Sequence, residues 1–204
     1  MPLPSTTDLT CVDYGAAVSE ASIEIARHEG AAPEAVWAGV SRVYVLGFAS
    51  PPYDERPDDL RSIERWGPEM IAAEGGRLAV ALERDRVLGF AVAERLDHDE
   101  AWQELLDAAP GWAAARGPSP ASAVVVIQEL AIDPQERGRG IARPVVAALL
   151  ADRPETHAVL SVYGRAESVR AMYERWGFEE IGTAPAEDSD DTMHLMHRRL
   201  PWAV

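Results

Sequence analysis

Gly138 and Gly140 stand in the run Gln135-Glu136-Arg137-Gly138-Arg139-Gly140, between an apolar stretch and a helical one, and that placement suits phosphate chemistry. Glycine takes left-handed backbone angles and lets the main chain approach a ligand closely. A helix beginning just after them offers amides without internal partners, at the positive end of its dipole. The same pattern also makes a tight strand-to-helix turn that binds nothing. Two known phosphate loops are excluded by spacing. No Lys-Ser/Thr follows for a P-loop, and Arg143 stands where a dinucleotide fold needs its third glycine.

The elements that must position this loop read clearly. Residues 123–132 are apolar and β-branched, interrupted only by Gln128 and Glu129, and predict a buried strand. Asp133-Pro134 stops its ladder, because proline has no amide hydrogen and restrains the residue before it. From Ile141 the apolar residues Val145, Val146, Leu149 and Leu150 recur at helical spacing, and Pro144 falls early enough in that helix to be harmless.

Upstream, the pattern predicts a short strand near residues 9–14 and helices over 16–28, 33–48 and 60–73. The third helix is capped by Asp58 or Asp59 and closed at Gly75-Gly76. Strands 77–83 and 86–95 flank the turn Arg84-Asp85, with a bulge at Gly89. Residues 97–122 are too long for a hairpin loop and carry a helix over 100–108; they read either as an insertion or as a surface excursion. Downstream come a strand over 158–163, a helix over 167–175, a strand over 178–183, an acidic loop and a last strand over 192–200. This order predicts a mixed α/β sheet with helices on both faces.

Composition narrows the function. A net charge of −15 argues against nucleic-acid binding, which needs a basic surface. The one cysteine, Cys11, gives neither a disulfide framework nor a thiolate metal cluster, and His28, His98, His157, His194 and His197 are too scattered to suggest a metal site. No apolar run is long enough for a membrane span and no basic residue precedes Arg27, so neither a span nor a signal peptide is expected and the location is read as cytoplasmic.

The loop and its strand, ending Leu130-Ala131-Ile132-Asp133-Pro134, resemble the Q/R-x-x-G-x-G/A region of the GNAT superfamily of N-acetyltransferases. A second stretch resembles the same family: Leu160-Ser161-Val162 followed by Met172-Tyr173-Glu174-Arg175-Trp176-Gly177-Phe178. Val87-Leu88-Gly89-Phe90-Ala91 is similar to its third strand. The resemblance implies an acyl-CoA N-acyltransferase fold: a mostly antiparallel sheet of six to seven strands in one domain over residues 1–204. Helices within 16–75 would border the acceptor, 97–122 would be an insertion near it, and 123–183 would hold acetyl-CoA.

The implied activity is acetyl transfer from acetyl-CoA to a primary amine by direct attack in a ternary complex, without a metal. The acceptor is read as a small molecule in preference to a protein, and homodimers are common in the family. Amides of Arg137, Gly138, Gly140, Ile141 and Ala142 would cradle the pyrophosphate, with Gln135 and Arg139 in the same loop. The edge of Leu130, Ala131 and Ile132 would pair with the pantetheine arm where it splays from the strand at Leu160, and an amide near Leu130 would face the thioester oxygen.

Tyr173 aligns with the tyrosine that protonates the departing thiolate in many members, or is a core tyrosine. Glu129 is the candidate base, or a structural acid. Phe48, Tyr53 and Asp54 would wall the acceptor. The family often has asparagine where Ala166 stands, with Arg165 or Ser168 the available substitutes. A non-catalytic acyl-CoA-sensing module therefore stays open, as does a nucleotide-binding protein of another α/β kind.

Overall fold

The computed structural model describes residues 22–186 and 190–202. The strand expected near residues 9–14, Cys11 and part of the acidic loop lie outside the described residues. Within them runs a seven-stranded sheet of order β1-β2-β3-β4-β5-β7-β6. The strands are β1 (Ile23–His28), β2 (Arg77–Glu83), β3 (Arg86–Arg95), β4 (Val124–Ile132), β5 (His157–Tyr163), β6 (Glu179–Pro185) and β7 (Thr192–Arg199). Only β4 and β5 pair in parallel; every other neighbouring pair is antiparallel.

Helices cover both faces. On one, α1 (Glu34–Phe48), the short α2 (Pro57–Leu60) and α3 (Ile63–Ala72) bury Trp37, Val40, Val43 and Ile71 against Leu78, Val80, Phe90 and Val92. On the other, α6 (Ala142–Leu150) and α7 (Glu167–Arg175) bury Val145, Val146, Leu149 and Tyr173 against Ala79, Ala91, Val125 and Leu160. The alternation of β2 and β3 side chains between these two cores is the period-2 pattern of a sheet buried on both sides.

Residues 97–122 form a third packed unit. Here α4 (Glu100–Asp107), capped by the Asp99 carboxylate on Trp102 N at 3.0 Å, is followed by α5 (Trp112–Arg116). Leu106, Ala109 and Trp112 pack on Val124, Val126, Val159, Ile181 and Leu195. The segment also covers the edge of β6, where Gly111 N donates to Ile181 O at 2.8 Å. That contact shields part of an edge strand that would otherwise present unpaired backbone groups.

Three expectations need correction. Residues 23–28 are not the end of a helix but the edge strand β1, paired with β2 from Ile23↔Glu83 to His28↔Leu78. The alternation Ile23-Glu24-Ile25 sets this, placing both isoleucines against the α6 core. The single helix expected over 60–73 is two, because the chain turns at Arg61 and Ser62 between α2 and α3. The β3 bulge falls on Leu88, which has no partner between Ala81↔Gly89 and Leu82↔Val87. Gly89 itself serves close approach: a Cβ there would meet Ile132 Cδ1 at 2.3 Å and Ala131 O at 3.0 Å.

Candidate active site

A cleft of about 270 Å³ opens in the middle of the sheet, and two irregularities of β4 create it. The first is a divergence. β4 and β5 pair only through Val124↔His157, Val125↔Ala158 and Val126↔Val159. Beyond that point β4 follows β3 and β5 follows β7, leaving Leu130 facing Leu160, Ser161 and Val162 across the gap. The second is a bulge. Gln128 has no partner on β3, because Val92 opposes Glu129 and Ala93 opposes Ile127.

One extra residue reverses the face of everything after it. Without the bulge Glu129 would share a face with Val125 and Ile127, in the α6 core. With it, Glu129 points to the α1 side and receives a hydrogen bond from Tyr44 Oη at 2.5 Å. Gln128 is held beside it, donating to Glu94 at 2.9 Å and Asp99 at 3.1 Å and accepting from Trp102 Nε1 at 3.0 Å. The segment of residues 97–122 thus brings an indole to the cleft wall.

At the other end of β4, the Asp133 carboxylate accepts from Gln135 N at 3.1 Å and Arg42 Nη1 at 2.8 Å. These bonds hold its carboxyl below the usual range, against the burial that raises it. Gly138 (φ 81°) and Gly140 (φ 75°) then carry the chain into α6. A Cβ at either glycine would meet nothing within 4 Å, so the loop faces open space on that side. Among the described residues, no backbone carbonyl takes the amides of Arg137 to Ala142. Free amides, open space and a helix N-terminus fit the pyrophosphate of a coenzyme A thioester.

The loop's side chains are otherwise engaged. Arg139 pairs with Glu136 and, at 3.1 Å, with Glu83; Arg86 joins the same network through Glu136. Arg137 donates to Gly47 O at 3.4 Å, at the end of α1. Any contribution of Arg139 to an anion therefore falls to its backbone in this arrangement. Leu130 and Ile132 pack on the α6 side and Ala131 on the α1 side.

The cleft shifts its titratable groups. Burial pushes the Glu129 carboxyl up to about 8, the Tyr44 hydrogen bond opposing and Glu55 adding to the rise. Burial holds the Tyr173 phenol well above its ordinary range, so it is protonated at neutral pH. Tyr173 projects from α7 into the same cleft as Glu129. A protonated phenol and a carboxyl of raised pKa thus face one space.

Of the three residues expected to wall the acceptor, Phe48 and Tyr53 line the cleft, their ring centroids 4.4 Å apart. Asp54 does not. It is exposed at φ 54°, and that left-handed turn sends Glu55 inward in its place, with Glu55 N on Phe48 O at 3.0 Å. Tyr44, Glu55, Trp102, Gln128, Ser161 and Tyr163 also line the cleft and were not read from the sequence. Gln128 was visible as a polar break in an apolar strand; the others carry no local signal. Ala166 is buried at the start of α7, and Arg165 does not replace an amide there, since it turns to Tyr53 O at 3.3 Å and to Asp191.

Among the described residues no helix is long and apolar enough to cross a membrane, and no group of three or more His, Cys, Asp or Glu is placed to hold a metal ion.

Comparison with known proteins identifies the family and the fold. The family model described as an acetyltransferase (GNAT) domain matches residues 74–180. Among solved structures, a Pyrococcus horikoshii protein superposes with a TM-score of 0.63 at 20% identity, over 88% of this chain and 99% of its own. A GNAT-family acetyltransferase of Bacillus cereus gives 0.59 at 12% identity, over 87% and 97%. The Escherichia coli N-acetyltransferase of a ribosomal-protein alanine gives 0.58 at 14%, over 90% and 97%. No curated protein matches in sequence. Identities this low speak to the fold alone.

Proposed function

The chain belongs to the acetyltransferase (GNAT) family, and on that premise we propose that it moves an acetyl group from acetyl-CoA to a primary amine by direct attack in a ternary complex. The observation that carries the reading is the single cleft into which Glu129 and Tyr173 both project, at the divergence of β4 from β5. Acetyl-CoA supplies the activated thioester. The amides of Arg137 to Ala142 receive its pyrophosphate, and the free edge of Leu130 to Ile132 runs along its pantetheine arm.

Glu129 takes the proton of the incoming ammonium, directly or through water. A base whose pKa lies near 8 is matched to this work, because a carboxylate of ordinary pKa is a poor acceptor from an amine. The freed nitrogen bonds to the carbonyl carbon, and the C–S bond breaks with its electron pair on sulfur. Tyr173, held protonated by burial, returns a proton to the thiolate. An amide near Leu130 steadies the charge on the carbonyl oxygen during the exchange. No covalent enzyme intermediate is needed.

Thermal unfolding tests the first requirement. Acetyl-CoA at about a hundred times its dissociation constant stabilises by roughly 2.7 kcal/mol, a rise of roughly 5–10 °C for a chain of this size. Gly138→Glu places a carboxylate in the open space over the loop and abolishes the rise. Thioester consumption over an amine panel then separates a transferase from an acyl-CoA sensor. A rise with ATP or NAD and none with acetyl-CoA overturns the reading.

A further inference from the structure

Resting on that same acetyl-transfer reading, we propose that the acceptor is a dication: an amine with a second positive group, which Glu55 receives while the reacting nitrogen stands at Glu129. The carboxylic side chains in the cleft wall are these two, and among the described residues no basic side chain lines it with them. Their situations differ. Glu129 holds a hydrogen bond from Tyr44 and has a proton to carry. Glu55 has neither task nor partner: among the described residues its half-buried carboxyl makes no hydrogen bond or ion pair. Burial raises its pKa, Arg165 offsets this in part, and Asp59 adds to it. A carboxylate kept in that state is relieved by a cation from outside.

The neighbours of Glu55 suit such a cation. Phe48 and Tyr53 lie 4.4 Å apart between centroids, and Tyr163 stands 6.0 Å from Tyr53. All three share the wall with Glu55, and the faces of aromatic rings attract ammonium groups. The amide of Glu55 is bound to Phe48 O, so the acid and the Phe48 and Tyr53 rings belong to one stretch of chain. The nearby arginines make their hydrogen bonds elsewhere, although Arg165 still offsets part of the Glu55 charge. Arg137 is held at Gly47 O, and Arg165 lies over the Tyr163 ring, 4.4 Å from its centroid. An acceptor bearing a carboxylate would bring it to two acids. The chain's net charge of −15 draws cations from a distance.

The test compares short α,ω-diamines, from propane- to hexanediamine, with n-alkylamines and ω-amino acids of the same length. Two quantities are read: kcat/KM, and calorimetric affinity for the protein saturated with coenzyme A. The best diamine should exceed its monoamine by roughly tenfold, as one charge-assisted hydrogen bond supplies, with the amino acid poorest. Glu55→Gln should bring the diamine-to-monoamine ratio close to one, and Glu55→Asp should keep part of it.

A ratio near one in the native protein, or one that survives Glu55→Gln, overturns the inference. So does an arylalkyl monoamine that outbinds every diamine, since the rings alone would then choose. If acetyl-CoA stabilises the protein but no diamine binds, the acceptor inference falls and the transfer reading stands. If acetyl-CoA does not bind, the transfer reading falls, and diamine affinity for the free protein, with and without Glu55, still decides the inference.

Discussion

The two halves of the proposed site are built from different materials. The half assigned to the donor is backbone: glycines at positive φ, amides that no carbonyl takes, and a strand edge left open by divergence. Its neighbouring arginines and acids are spent on one another. The half assigned to the acceptor is side chain: Tyr44, Phe48, Tyr53, Glu55, Trp102 and Glu129, drawn from α1, a loop, α4 and β4. A backbone site is indifferent to most side-chain changes and depends on a few conformations. A side-chain site can be retuned residue by residue, which suits the part of an enzyme that chooses among substrates.

Glu129→Gln tests this contrast hardest. It should lower kcat/KM by roughly 10²–10⁴ and remove the limb of the pH profile that rises toward about 8. Stability should move the other way. A carboxyl whose pKa is raised on folding keeps its proton while the unfolded chain loses it, so the contribution of Glu129 to wild-type stability is greatest below the unfolded value of 4.5 and declines as pH rises to about 8. Glu129→Gln should therefore melt higher than wild type at pH 8 and nearly alike at pH 4. Equal melting curves at both pH values would mean that the carboxyl is not desolvated as described.

Tyr173→Phe should lower kcat by roughly a hundredfold while the rise in melting temperature with acetyl-CoA persists. Loss of that rise would place the phenol in the donor half. Tyr44→Phe is a smaller change with a directional readout. Its hydrogen bond holds the Glu129 pKa down, so removing it should move the rising limb to higher pH, by an amount of the order of one pH unit. Movement to lower pH would break the assignment of the limb to Glu129. The smallest effect is expected at Arg139→Ala. This side chain already pairs with Glu83 and Glu136, so more than half of the acetyl-CoA stabilisation should survive, measured as the melting shift. A loss as complete as that of Gly138→Glu would mean that the donor half relies on side chains after all.

How much could be read in advance divides along the same line. The strand, loop and helix of the donor half were legible because each has a local cause. Residues 123–132 are apolar, Pro134 ends the ladder, two glycines permit the turn, and the helical period begins at Ile141. Strands β2 and β3 and helix α7 were read at their observed limits for the same reason. The edge strand β1 was misread because a six-residue strand with one charged face resembles the end of an amphipathic helix until its partner is known. Of the residues expected at the acceptor wall, Phe48 and Tyr53 line the cleft, and the acid that joins them there is Glu55 and not Asp54. One residue at positive φ decides which of two adjacent acids faces inward.

By itself, then, the sequence determined the α/β layering, the order of the strands from β2 onward, the glycine loop and its family, because these follow from periodicity, chain-breaking residues and short motifs. The tertiary structure alone decided where Glu129 points. The Gln128 bulge turns it toward α1, and Tyr44, 85 positions earlier, meets it there. A bulge is a property of how two strands register, and desolvation is a property of what closes over a side chain; neither is written in the residues on either side of Glu129.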